Sequence, residues 1–193
     1  MPSRHALLGP SSSHRWLACP PSARLEEQFP DTTSSYAEEG TLAHSYAERK
    51  LNALLRGESV SRDTEVSDEM WDCTDAYRDF VEEELNAIKA ECDGAHLLVE
   101  QELDFADYVP EGFGTSDAVI VSDKTLEVID FKYGKGVPVS AENNPQLRLY
   151  ALGAYIALSS LYDFTEVKMA IFQPPLQGPS CLPPSFVTHV VCM

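Results

Sequence analysis

Positive charge is scarce in this chain: 14 Lys and Arg stand against 31 Asp and Glu in 193 residues, a formal net charge of −17. Phosphate affinity comes from Lys and Arg, so histone-like or polybasic modes of nucleic-acid binding are disfavoured. Long apolar runs are also missing. The longest, residues 150–161, is too short to cross a bilayer, and no membrane partner is expected. No apolar stretch follows Arg4, so no signal peptide is visible. The five cysteines are irregularly spaced, unlike a secreted disulfide framework, and point to a reducing cytoplasm. HExxH, GxSxG and the dinucleotide-binding fingerprint are all absent, which removes the commonest hydrolase and dehydrogenase signatures.

What remains is ordinary globular material, 44% apolar and 23% charged, long enough to bury a core without disulfides. Residues 10–31 carry the phrase Ser-Ser-Ser-His-Arg-Trp-Leu-Ala-Cys-Pro, in which serine hydroxyls cap a short helix that ends before Pro20. Leu42, Tyr46, Leu51, Leu54 and Leu55 predict a helix from residue 34 or 35 to about 55, stopped by Gly57. Met70, Tyr77, Val81, Leu85 and Ile88 form the stripe of a second helix over 67–91, with acids on its solvated face. Strands are expected over 96–105, 115–121, 126–133 and 167–172, with a helix over 145–158. Residues 173–193 hold five prolines and read as a tail or irregular edge. The expected architecture is α/β, a mixed sheet with a central antiparallel hairpin flanked by helices, in one domain over 1–172.

The chemistry concentrates in that hairpin. A turn centred on Asp123 and Lys124 sets Asp117 opposite Asp130 on one face, about 4.5–5.5 Å apart at Cα. Lys132 projects to the same face, two residues on. Opposed carboxylates repel unless a cation lies between them, and apolar neighbours make an uncompensated pair costly. Oxygen donors favour Mg²⁺ or Mn²⁺. With a lysine alongside, the set matches metal-assisted phosphodiester hydrolysis. The same spacing also fits an Asp–Lys salt bridge on a solvated sheet face. Two further pairs lie at i, i+4: His44 with Glu48, and Gln146 with Tyr150 behind Pro145. An imidazole is a good extra ligand, but each pair also fits a plain helix surface.

In order along the chain, His44, Gly114-x-x-Asp117, Asp130-Phe131-Lys132 and Gln146-x-x-x-Tyr150 resemble the RecB-type branch of the PD-(D/E)XK nucleases, in particular its phage and prophage members. The phrases Pro-Glu-Gly-Phe-Gly-Thr-x-Asp and Asp-Phe-Lys-Tyr-Gly-Lys-Gly-Val carry the same likeness, which spans about residues 10–172. The resemblance implies a restriction-endonuclease-like core. It implies Asp117, Asp130 and the Phe131 main-chain carbonyl as ligands of Mg²⁺ or Mn²⁺, with His44 as a further ligand and Glu100 reaching the metal through water. Lys132 becomes the catalytic lysine. Gln146 and Tyr150 would bind nucleic acid or support that lysine. Apart from the resemblance, Lys135 and Arg148 are candidate phosphate contacts by their charge, although Gly134-Lys135-Gly136 also fits a plain turn that ends a strand. Relatives of this type often hold an iron–sulfur cluster on one early and three late cysteines. Cys19 matches the early one, but only Cys181 and Cys192 follow the core, without a Cys-x-x-Cys step. Four ligands are needed, so no cluster is expected here.

The expected activity is metal-dependent DNA hydrolysis, as an exonuclease in phage recombination or replication, with DNA and a recombination protein as partners. An alternative is a catalytically impaired subunit that keeps the fold for binding nucleic acid or protein. A third reading is a metal phosphohydrolase acting on small nucleotides.

Overall fold

A computed structural model describes residues 6–29, 34–134 and 138–173, together with the backbone of 186–187. Its long helices begin where a side-chain oxygen takes up orphan N–H groups. Ser34 Oγ accepts from Ala37 N at 3.2 Å to start α3 (Ser35–Arg56). Ser67 does the same for Met70 at 3.1 Å, opening α4 (Asp68–Glu91) with Asp68 and Glu69 in its first turn. Asn144 accepts from both Gln146 and Leu147 ahead of α5 (Pro145–Leu158), whose first residue is the proline that needs no partner. Gly57, at φ 67°, closes α3 in the left-handed conformation that other residues avoid. Two short helices, α1 (Ser13–Ala18) and α2 (Ser22–Glu26), follow a 3₁₀ turn over Pro10–Ser12.

The strands are β1 (His96–Asp104), β2 (Phe113–Val121), β3 (Thr125–Phe131) and β4 (Glu166–Phe172). They lie in sequence order. The first three are antiparallel neighbours, and β4 runs parallel to β3 with α5 as the connection. A two-residue strand, β5 (Phe186–Val187), pairs with the outer edge of β4. The segment expected to be irregular therefore contributes main-chain hydrogen bonds to the sheet. Its other residues beyond 173 lie outside the described ones.

Helices cover both faces. On one, α3 and α4 bury Tyr46, Leu51, Tyr77 and Val81 against Leu97, Ile120, Ile129, Phe131 and Phe172. On the other, α5 lays Leu147, Tyr150, Ala151 and Ala154 over Val119, Val121, Val128 and Ile171. Every residue of β3 is buried, Thr125, Glu127 and Asp130 included, because helices cover both faces of the sheet. Each fully buried Leu, Ile or Phe of this kind contributes about 1.5–3 kcal/mol. No described helix is long and apolar enough to cross a membrane.

One detail departs from the expected hairpin. The β2–β3 pairs run from Val121–Leu126 to Ala118–Ile129, in the expected register, and end one pair short of Asp117 and Asp130. Meanwhile β2 stays with β1 down to Phe113, and β3 stays with β4 through Phe131. The sheet thus splits between β2 and β3, and the two acids stand at the mouth of the split. Repulsion between directly opposed carboxylates disfavours the continued ladder, and each acid has taken other partners.

Candidate active site

Asp117 spends its carboxylate on two elements. Its Oδ2 accepts the Phe131 N–H at 2.7 Å, replacing the main-chain acceptor that a continued ladder would supply. Its Oδ1 lies 2.9 Å from His44 Nδ1 on α3. The imidazole is half-buried and packs on Phe131 with ring centroids 5.2 Å apart. Burial depresses the His44 pKa, but the hydrogen bond and charge of Asp117, with help from Asp130, outweigh it and raise the value. With Nδ1 committed to a carboxylate, Nε2 is the ring nitrogen left for a ligand, the arrangement common in metal-binding histidines.

Asp130 is buried at the end of β3. Lys132 Nζ lies 2.9 Å from its Oδ2, an ion pair with side-chain exposures of 28% and 4%. The salt bridge anticipated as an alternative is therefore present, but inside the protein. Gln146 on α5 ties the pair together. Its Oε1 accepts from Lys132 at 2.8 Å, and its Nε2 donates to Asp130 Oδ1 at 3.0 Å and to Tyr150 Oη at 3.3 Å. Burial pushes the Asp130 carboxyl up, and Lys132 only partly reverses this. Asp130 Oδ2 is itself buried, and the Lys132 ammonium is the positive charge that faces it.

Glu100 completes a row. By register it sits opposite Asp117 across the β1–β2 ladder, between the Val99–Ala118 and Gln101–Ser116 pairs. Its backbone is left-handed, φ 50°, in the middle of a strand. Such a conformation costs a non-glycine residue about 1–2 kcal/mol and is characteristic of functional sites. Burial, with repulsion from Asp117 and Glu48, pushes its carboxyl up to about 7.

The donor set is hard oxygen with one imidazole. Among the described residues, no group of three or more His, Cys, Asp and Glu side chains is placed to hold a metal ion. Asp117, Asp130 and the Phe131 carbonyl would suit an ion that keeps several waters and is bound by one or two carboxylates. That is the habit of Mg²⁺, not of a thiolate-bound metal.

The other expected residues fall in different places. Tyr150 is buried with its hydroxyl on Gln146, which makes it a prop for Gln146 and the lysine. Burial, chiefly, drives its pKa far above the usual tyrosine range. Arg148 is exposed on α5. Cys19 is exposed just past α1. Lys135, Cys181 and Cys192 lie outside the described residues. A groove of about 770 Å³ opens beside Gly114, Thr115 and Tyr150, against the N-terminal turn. Its described lining includes Glu102 and Glu111 and no Lys or Arg, so it does not suit phosphate.

The chain also matches a family model. The match covers residues 5–182, and the family is described as "Protein of unknown function (DUF2800)". With nearly its whole length covered, this chain belongs to the DUF2800 family.

Proposed function

We propose that this protein is a metal-dependent DNA nuclease of the PD-(D/E)XK kind, built on a restriction-endonuclease-like core and related to RecB-type phage enzymes. One observation carries the reading. At the split between β2 and β3, four elements bring Asp117, Asp130, Lys132, Gln146 and His44 into one connected cluster. Two of them come to the hairpin from other elements: His44 of α3 reaches Asp117 across 73 residues, and Gln146 of α5 reaches both Asp130 and Lys132. Mg²⁺ or Mn²⁺ held there by Asp117, Asp130 and the Phe131 carbonyl would supply charge neutralisation for a phosphodiester.

The protein's own groups do the rest. Gln146 aims the Lys132 ammonium at the carboxylate face, where it orients a water and stabilises the charge that develops on phosphorus oxygens. His44 and the Phe131 N–H fix the rotamer of Asp117. Burial on both sheet faces keeps the surroundings weakly polar, which strengthens each of these interactions. The setting for such work is the cytoplasm, with linear DNA as substrate in phage recombination or replication.

Cleavage of linear single- and double-stranded DNA with Mn²⁺ tests the proposal. Asp130→Ala is expected to reduce the rate at least about 100-fold, within the range seen when a single electrostatic group is lost. Equal rates in the two proteins, or no cleavage by the wild type, would overturn it. A second reading has support of its own. Both oxygens of Asp117 and the ammonium of Lys132 already have partners within the chain, which suits a catalytically quiet subunit that binds nucleic acid or protein. Binding of DNA without metal-dependent cleavage would favour that reading.

A further inference from the structure

The groove of about 770 Å³ beside Gly114 adjoins the carboxylate cluster without being part of it. Its walls come from the turn ahead of α1, from α2, from β1 and β2 with the loop between them, and from Tyr150 of α5. That volume falls within the roughly 300–1,000 Å³ typical of sites that bury a ligand. Leu7, Pro10, Ala23, Phe113 and Tyr150 give the groove apolar surface. Glu26, Glu27, Glu102 and Glu111 give it charge of one sign, since no Lys or Arg lines it among the described residues.

Two of those acids are already engaged. Glu26 faces Arg15 of α1, and Glu27 faces Arg24 of α2. Glu102 on β1 and Glu111 in the β1–β2 loop are exposed and have no ion pair among the described residues. Their chemistry selects an occupant. A phosphate backbone would be repelled, and a second copy of this chain brings a net charge of −17 of its own. A neutral ligand would leave both free acids unused. A side chain with an apolar stem and a cationic head uses every part of the lining, because such stems lie on apolar surface while the head stays in polar surroundings. Arginine suits it better than lysine: its planar guanidinium pairs with a carboxylate and stacks on aromatic rings, and two aromatic residues line the groove.

We infer that the groove is a docking surface for an arginine-rich segment of a partner protein, with Glu102 and Glu111 accepting its ion pairs. This interaction goes beyond the nuclease reading and does not depend on it. It also gives an acidic chain a source of the cations it lacks. Tyr150 lines the groove and hydrogen-bonds to Gln146 of the carboxylate cluster, so a docked segment lies next to the place where a phosphodiester would bind.

The test uses the full chain, with neither metal nor DNA, and a fluorescein-labelled peptide of alternating arginine and alanine followed by fluorescence anisotropy. At about 0.15 M salt the Debye length is about 8 Å, so distant acids are largely screened. Glu102→Gln combined with Glu111→Gln is expected to weaken the Kd about fivefold, the size of two partly exposed ion pairs. Glu83→Gln combined with Glu91→Gln, at exposed positions of α4, removes the same charge elsewhere and should leave the Kd unchanged. Equal weakening in the two double variants, or none in the groove variant, overturns the proposal, as does a wild-type chain that does not bind the peptide. A wild type that sediments as a dimer while the groove variant sediments as a monomer seats a second copy there and also overturns it. With metal and DNA both left out, each of these results leaves the nuclease reading untouched.

Discussion

Glu127 shows how much a single side chain can set the pH response of this molecule. It is buried in β3, and one carboxyl oxygen has no hydrogen-bond partner among the described residues. Glu84 on α4 and Glu166 on β4 repel it, and Lys168 on β4 attracts it. Burial dominates and pushes its carboxyl up to about 8, from an ordinary 4.5. The raised value means that the folded chain holds a proton the unfolded chain releases. Stability therefore falls as pH rises from about 4.5 to about 8, and levels off above that. Glu127→Gln is expected to raise stability by about 1–3 kcal/mol at pH 8 and to lose its advantage below about pH 4.5; urea unfolding at the two pH values measures both. At this scale the sequence was informative about identity more than about partners. Asp117, Asp130 and Lys132 stand out because an alternating strand puts them on one face. That Gln146 would grip both Asp130 and Lys132 depends on where α5 docks, and no local spacing states this.

Among the elements, the N-terminal turn and β2 depend on one missing side chain. A Cβ at Gly114 would come within 2.8 Å of the Pro10 ring and 3.1 Å of Tyr150. The Pro10 ring is buried and held beside the hydrogen bond from Trp16 Nε1 to the Gly9 carbonyl at 2.9 Å, and Tyr150 is buried too. Gly114→Ala is expected to destabilise the protein by about 1–3 kcal/mol. Trp16 fluorescence should report the displaced turn, and an unchanged denaturation midpoint would refute the close approach. Helix limits were legible in advance because their signals are local: Ser34 or Ser35, Ser67 and Pro145 at the starts, Gly57 at an end. The hairpin register was legible for the same reason, since a short turn has one centre. The split beyond Ala118 and Ile129 was not. It arises from a contest between ladder hydrogen bonds and side chains brought in by α3 and α5.

For the whole molecule, the charge of −17 sets a limit on how tightly the proposed DNA substrate could be held. Among the described residues, every Lys and Arg except Lys89 and Arg148 faces a carboxylate of the same chain. Few cations remain for phosphates. Log–log plots of DNA affinity against salt should have a slope no steeper than about −3, each neutralised phosphate adding about −0.9. Fluorescence anisotropy with a labelled duplex measures it, and a slope near −6 would mean an extensive phosphate-binding surface. The seam between β2 and β3 bears on one further property, the order of folding. The β1–β2 and β2–β3 hairpins join neighbours in sequence, whereas β4 reaches β3 across the whole α5 connection, and His44 meets Asp117 across 73 residues. Contacts of such long separation form late, because loop closure must precede them. A partly folded chain can therefore own a complete hairpin and still lack the His44–Asp117 contact, so a probe of that contact during refolding would trail the appearance of sheet and mark a late step to the native state.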